Sequence, residues 1–162
     1  MSKEINYTFW GESIDSNWYE WFLAVKAMFE KCGYEVTHYG PDFDSYNPDH
    51  VVTAARKEKA LVELLKRGEV PNSFDFYSVP KDYTTVAGDA SLYCLRTKDF
   101  ICVVVRESAV PNVDEDAIME MKKYIKFESG EVFSARTLNS IFYSYSKTSC
   151  KFHEYEFIRT IE

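Results

Sequence analysis

The sequence has none of the short motifs that mark common chemistries. It holds no G-x-S-x-G, no Walker run and no G-x-G-x-x-G, so the usual hydrolase and nucleotide-binding signatures are absent. His38, His50 and His153 are not joined by H-x-x-x-H or H-E-x-x-H spacing. Cys32, Cys94, Cys102 and Cys150 lie far apart and form no C-x-x-C pair, which excludes a zinc ribbon and a dithiol redox motif. Nowhere do 18 apolar residues run together, the length a membrane-spanning helix needs. Basic residues are also the minority. With 19 Lys and Arg against 26 Asp and Glu, the formal charge of -7 repels phosphate backbones, which argues against direct nucleic-acid binding and favours a basic partner. A triad assembled from distant segments would leave no such mark, so the sequence by itself assigns no catalytic residue, cofactor or metal.

What the chain does have is aromatic residues, 17% of the total, with 12 Tyr, 12 Phe and 3 Trp. That is more than a core alone requires, and some of the tyrosines suit a binding surface. A length of 162 residues predicts one domain, 1–162, large enough to bury a core without staples. The cysteines fall in apolar segments and read as reduced core thiols of a reducing compartment. Met1 is followed by Ser-Lys-Glu-Ile-Asn, with no apolar h-region, so a cytoplasmic, unanchored protein is expected.

Hydrophobic periodicity predicts an α+β domain with a mixed or largely antiparallel sheet of about five to seven strands and three to four packed helices. Ile5 to Trp10 alternates as a strand that Gly11 should stop. Trp18, Trp21, Phe22, Val25, Phe29 and Cys32 recur at helical spacing up to Gly33. Tyr34 to Tyr39 alternates again before Gly40-Pro41. A second helix is expected from an Asp49 cap to about Arg67, with Val51, Ala55, Val62 and Leu65 inward. Strands follow at Phe74 to Val79, Ser91 to Thr97 and Phe100 to Arg106, the last two joined as a hairpin through Lys98-Asp99, and Val103 to Val105 reads as a central strand. A capping box at Asn112 to Glu115 opens a helix bearing Ile118, Met121 and Ile125. After Ser129-Gly130 come a short strand at Val132-Phe133, a helical stripe of Leu138, Ile141, Phe142 and Tyr145, and a last strand near Phe152 to Ile161.

Carboxylates concentrate in the stretch from Asp42 to Asp49, between Pro41 and His50. A calcium loop needs oxygen ligands at its first, third and fifth positions and Gly at the sixth, whereas Tyr46 and Asn47 stand at the later places, so a metal site is not expected. Two readings remain. The stretch is a solvated loop ending in a helix cap, with Phe43 and Tyr46 folded back into the core. Alternatively Asp42, Asp44 and Asp49 steer a basic partner while Phe43 and Tyr46 anchor it.

Phe9-Trp10-Gly11, the Trp-bearing helix after it, and the late order of apolar strand, acidic-capped helix and Ser129-Gly130-Glu131-Val132-Phe133-Ser134 together resemble the immunity proteins that protect bacteria from their own polymorphic toxins. The resemblance implies an inhibitor that occludes a toxin by surface complementarity, and it carries over no binding residue. Small acidic phage proteins that block host defence enzymes would look the same. A different class is suggested by Trp10-Gly11 after a first strand, then a helix, Gly33-Tyr34-Glu35-Val36 and Gly40-Pro41. This opening is similar to that of nucleoside deoxyribosyltransferase-like enzymes and related flavodoxin-like folds, where the ligand lies beyond strand C-termini. There Glu12, Asp15 and Asp42 would be the carboxylates of interest. The hairpin expected from Ser91 to Arg106 departs from that pattern and ranks it second.

Overall fold

The computed structural model of the chain describes residues 2–147 and 154–162. Among the described residues eight strands form one sheet: β1 (Lys3–Ser13), β2 (His38–Asp42), β3 (Val52–Thr53), β4 (Ser73–Ser78), β5 (Leu92–Thr97), β6 (Phe100–Arg106), β7 (Ile125–Arg136) and β8 (Glu156–Ile161). Their order is β3-β2-β4-β5-β6-β1-β7-β8, and every pairing is antiparallel. The α+β class is thus observed, with more strands than the sequence predicts. An antiparallel sheet holds no parallel crossover, so the flavodoxin-like alternative is overturned.

The main core lies on one face, under α1 (Trp18–Lys31), α2 (Ala54–Lys66) and the short α4 (Glu115–Met119). The α1 stripe enters as its spacing requires, with Trp21 edge-on to Phe74 and Phe76 from β4. β6 is buried on both faces, as expected of a central strand: Ile101, Val103 and Val105 join the main core, while Cys102 and Val104 join a second core on the opposite face. That second core is covered by α5 (Ser140–Ser146). The turn-rich segment after β4 carries the short α3 (Val86–Asp89), over Tyr77 and Val79. No helix among the described residues is long and apolar enough to cross a membrane.

Several elements differ from expectation. Gly11 lies inside β1, which runs on to Ser13. β2 starts at His38 rather than Tyr34 and passes through Gly40 and Pro41 to Asp42, because β4 pairs with it over that whole length. Asp49 does not cap α2: its φ of 60° is left-handed, and Val52–Thr53 pairs with β2 before the helix begins at Ala54. Leu61 and Leu65 are its buried residues, whereas Ala55 is exposed. Ile125 opens the 12-residue β7, so Ser129 and Gly130 sit within a strand. α5 packs with Ser140, Tyr143 and Ser144 inward, leaving Phe142 56% and Tyr145 62% exposed. Cys32, Cys94 and Cys102 are buried free thiols. Cys150, His153 and the start of the expected last strand lie outside the described residues.

Candidate functional site

The acidic stretch begins inside the sheet. Asp42 ends β2, and its backbone C=O accepts from the amide of Asn72 at 2.7 Å. Phe43 follows on the main-core face. Its ring is 1% exposed and stands edge-on to Phe74, so it is a core residue and presents nothing to a partner. The reason is alternation: Tyr39 enters the main core, and Phe43 is the second residue after Pro41 on the same side. Tyr46 is half-buried against that core. Phe43 and Tyr46 exchange backbone hydrogen bonds of 3.0 and 3.2 Å, which close the turn and leave Asp44 and Ser45 exposed at its tip.

Side chains fix the turn further. Asn72 Nδ2 donates to Asp44 Oδ1 at 2.9 Å, Asn47 Nδ2 donates to Asp42 Oδ1 at 3.1 Å, and the Asp49 amide donates to Asn47 Oδ1 at 3.2 Å. Ser45 Oγ donates to Glu69, which also pairs with Arg67 at 2.7 Å. These hydrogen bonds hold Glu69 below the usual carboxylate range. The carboxylates are therefore presented on an ordered turn, which lowers the entropy lost when such a surface meets a partner.

Glu12, Ser13, Asp15, Asp44, Asn72 and Lys98 line one open pocket of about 360 Å³, together with Val70. Carboxylates from two segments distant in sequence, Glu12 with Asp15 and Asp44, thus meet beside the tip of the 43–46 turn. Asp42 and Asp49 do not line this pocket. Glu12 also stands 3.6 Å from Lys126 in an exposed ion pair, worth little in water.

Arg96, a residue that sequence reasoning missed, holds Ser13, which lines the pocket, from within the protein. Its side chain is 0% exposed and its guanidinium lies 3.9 Å over the Trp18 ring. Arg96 donates to Ser13 Oγ, Asn17 Oδ1 and the carbonyls of Ile14 and Tyr124, all between 2.8 and 3.2 Å. One arginine so ties the end of β1, the turn that leads into α1 and the start of β7. Burial pushes its pKa down to about 9, and the acidic groups Cys94, Asp15 and Tyr124 around it oppose that fall. The only sequence signal was position: Arg96 is a charge in a strand whose alternate residues, Leu92 and Cys94, face the main core. Among the described residues no group of three or more His, Cys, Asp or Glu side chains could hold a metal ion.

No family model matches the chain, and no curated protein matches it. Among solved structures it is similar to a crystal structure of the toxic C-terminal tip of CdiA from Pseudomonas aeruginosa in complex with immune protein. The identity is 12%, over 86% of this chain and 90% of that one, with a TM-score of 0.35. A likeness of that size carries no argument about this chain.

Proposed function

We propose that the protein is an acidic inhibitor that binds a basic protein, of the toxin or defence-enzyme kind, by surface complementarity. The observation that supports this reading is the convergence of Glu12, Asp15 and Asp44 on one open pocket beside an ordered acidic turn. Acids at a protruding turn reach a basic cleft more closely than acids on a flat sheet, and an overall charge of -7 draws such a partner in over a Debye length. In the contact, Asp42, Asp44 and Asp49 supply steering and hydrogen-bond acceptors, and Tyr46 the aromatic edge. Phe43 holds the turn to the core.

The test begins with the partner recovered by pull-down from the source cell. Association and dissociation rates are then measured at low and high salt for wild type, Asp15→Lys, Asp44→Lys and Tyr46→Ala. Charge reversal is expected to slow association several-fold at low salt and much less at high salt, and loss of the Tyr46 ring to speed dissociation. Folded variants with unchanged rates would overturn the reading.

A further inference from the structure

On the face of the sheet opposite the main core, near the start of β1, lies a cavity of about 130 Å³. Its floor is a row across three strands. Tyr77 pairs with Tyr93 and Tyr93 with Val104, and because Phe76, Cys94, Val103 and Val105 enter the main core, these three side chains stand on the other face. Ala87 and Ala90 line the cavity from α3 and the residue that follows it, and Leu138 and Ile141 from the segment that opens α5. Leu138 has a φ of 73°, left-handed backbone that a leucine adopts at a cost, and the bond from its amide to Glu4 Oε1 at 2.8 Å holds it beside the cavity in that form.

Four polar side chains also line this space, yet the protein itself engages their polar groups. The Tyr77 and Tyr93 hydroxyls donate to Asp75 Oδ2 at 3.0 and 2.8 Å, and the other Asp75 oxygen is enclosed against Gly40. Glu4 is buried, with one oxygen accepting from the Leu138 amide and the other from the Ser140 hydroxyl. Arg106 donates from Nη1 to the Gly88 carbonyl at 2.6 Å and from Nη2 to that of Ala87 at 3.4 Å, while its Nε has no exposed surface and offers nothing to the cavity. A water molecule settles in such a place only where about two to four polar groups receive it, so solvent is held weakly here. Glu4 and Arg106 stand opposite one another in the β1–β6 ladder, so one acid and one base offset each other and no net charge calls for an ion.

We propose that this cavity binds a small uncharged apolar molecule, the size of one six-membered carbon ring or a short branched chain. Volume sets the upper limit, since a protein cavity of roughly 150 Å³ with apolar walls stays dry and takes up benzene. The walls set the chemistry, because a charged group entering would lose its water and find no free partner. A bound ring touches α3 and α5 together and ties the two sides of this face to each other. The cavity lies at the start of β1, whereas Glu12 and Ser13 line the acidic pocket at its end, so the site goes beyond the basic-partner reading and stands without it.

The probe is benzene, titrated by nuclear magnetic resonance into the full chain carrying carbon-13 in its alanine, valine, leucine and isoleucine methyl groups, with benzoate as the charged control of the same ring. The methyls of Ala87, Ala90, Val104, Leu138 and Ile141 are expected to shift saturably with benzene, and benzoate to bind about tenfold more weakly or worse. Ala90→Val and Ala90→Leu fill the space in two steps, and benzene binding should weaken in that order, by about tenfold in the larger variant. Ala90→Val adds the smaller bulk and carries the comparison if Ala90→Leu does not fold. Three results would each overturn the site: no saturable shift at these methyls up to the solubility of benzene in water, an unchanged benzene response in a folded Ala90 variant, or benzoate binding as tightly as benzene.

Discussion

At the scale of the residue, Asp75 links burial to stability. The folded carboxyl holds its proton up to about pH 6, against an ordinary value of 3.8. The stability associated with this residue is therefore complete below the ordinary value and is lost as the pH rises through the folded one, an effect on the order of 3 kcal/mol. Glu69, Asp89 and Glu154 are held low by hydrogen bonds and act in the opposite sense, so the effect is read as a difference between two proteins. Urea unfolding of Asp75→Asn should show a gain over wild type at pH 7.5 that shrinks towards pH 4. A gain independent of pH would mean that desolvation of the charge is not its source. In the sequence Asp75 was one acid between two phenylalanines, and nothing marked it apart from Asp42 or Asp44. Its character comes from Gly40, Tyr77 and Tyr93, two of which reach it across neighbouring strands.

At the scale of the element, β1 and α5 show how the sheet overrules local signals. Gly11 read as a stop, yet β1 continues through it with a shift of register against β7, and the Gly11 amide donates to Asp99 at 3.0 Å. A Cβ on Gly11 would come within 2.2 Å of the Lys126 carbonyl oxygen. Gly11→Ala is therefore expected to force β1 and β7 apart, at a cost of about 1–3 kcal/mol. The midpoint of urea unfolding measures this, and an unchanged midpoint would show that β7 yields freely. α5 is rotated from the face its apolar stripe suggested: Ile141 still packs on the second core, but Ser140, Tyr143 and Ser144 point inward and Phe142 outward, because part of the sheet beneath it is polar. Asn6 Nδ2 donates to Ser140 Oγ at 3.1 Å and to Ser144 Oγ at 3.0 Å, Thr8 and Ser144 share a bond of 2.7 Å, and Ser140 also donates to Glu4. Buried polar groups demand partners. Asn6 and Thr8 face away from the main core; Thr8 Oγ1 donates to Asn6 Oδ1 at 2.6 Å, and the serines of α5 complete the network.

At the scale of the whole molecule, the two cores share one sheet. β6 lends alternate residues to each, and Trp10 from β1 packs on Tyr143 of α5 while Phe9 enters the main core. Neither core can open without exposing the back of the other, so one cooperative transition is expected. Tryptophan fluorescence, with Trp18 and Trp21 in the main core and Trp10 in the second, and far-ultraviolet circular dichroism should give coincident urea curves. An earlier transition in one signal would show that the α5 side melts alone.

The sequence by itself determined what depends on short-range periodicity and on composition. It specified the inward stripe of α1, the central place of β6, the β5–β6 hairpin, the α+β class and the excess of negative charge, because each is written in residues a few positions apart or in a simple total. Tertiary structure decided what depends on pairing across the chain. The capture of Phe43 by the core, the inward face of α5, the meeting of Glu12 and Asp15 with Asp44, the burial of Arg96 and the enclosed carboxylate of Asp75 all arise between segments far apart in sequence. Strand order and register choose those neighbours, and the hydrogen-bonding needs of a buried polar group appear only once its neighbours are chosen.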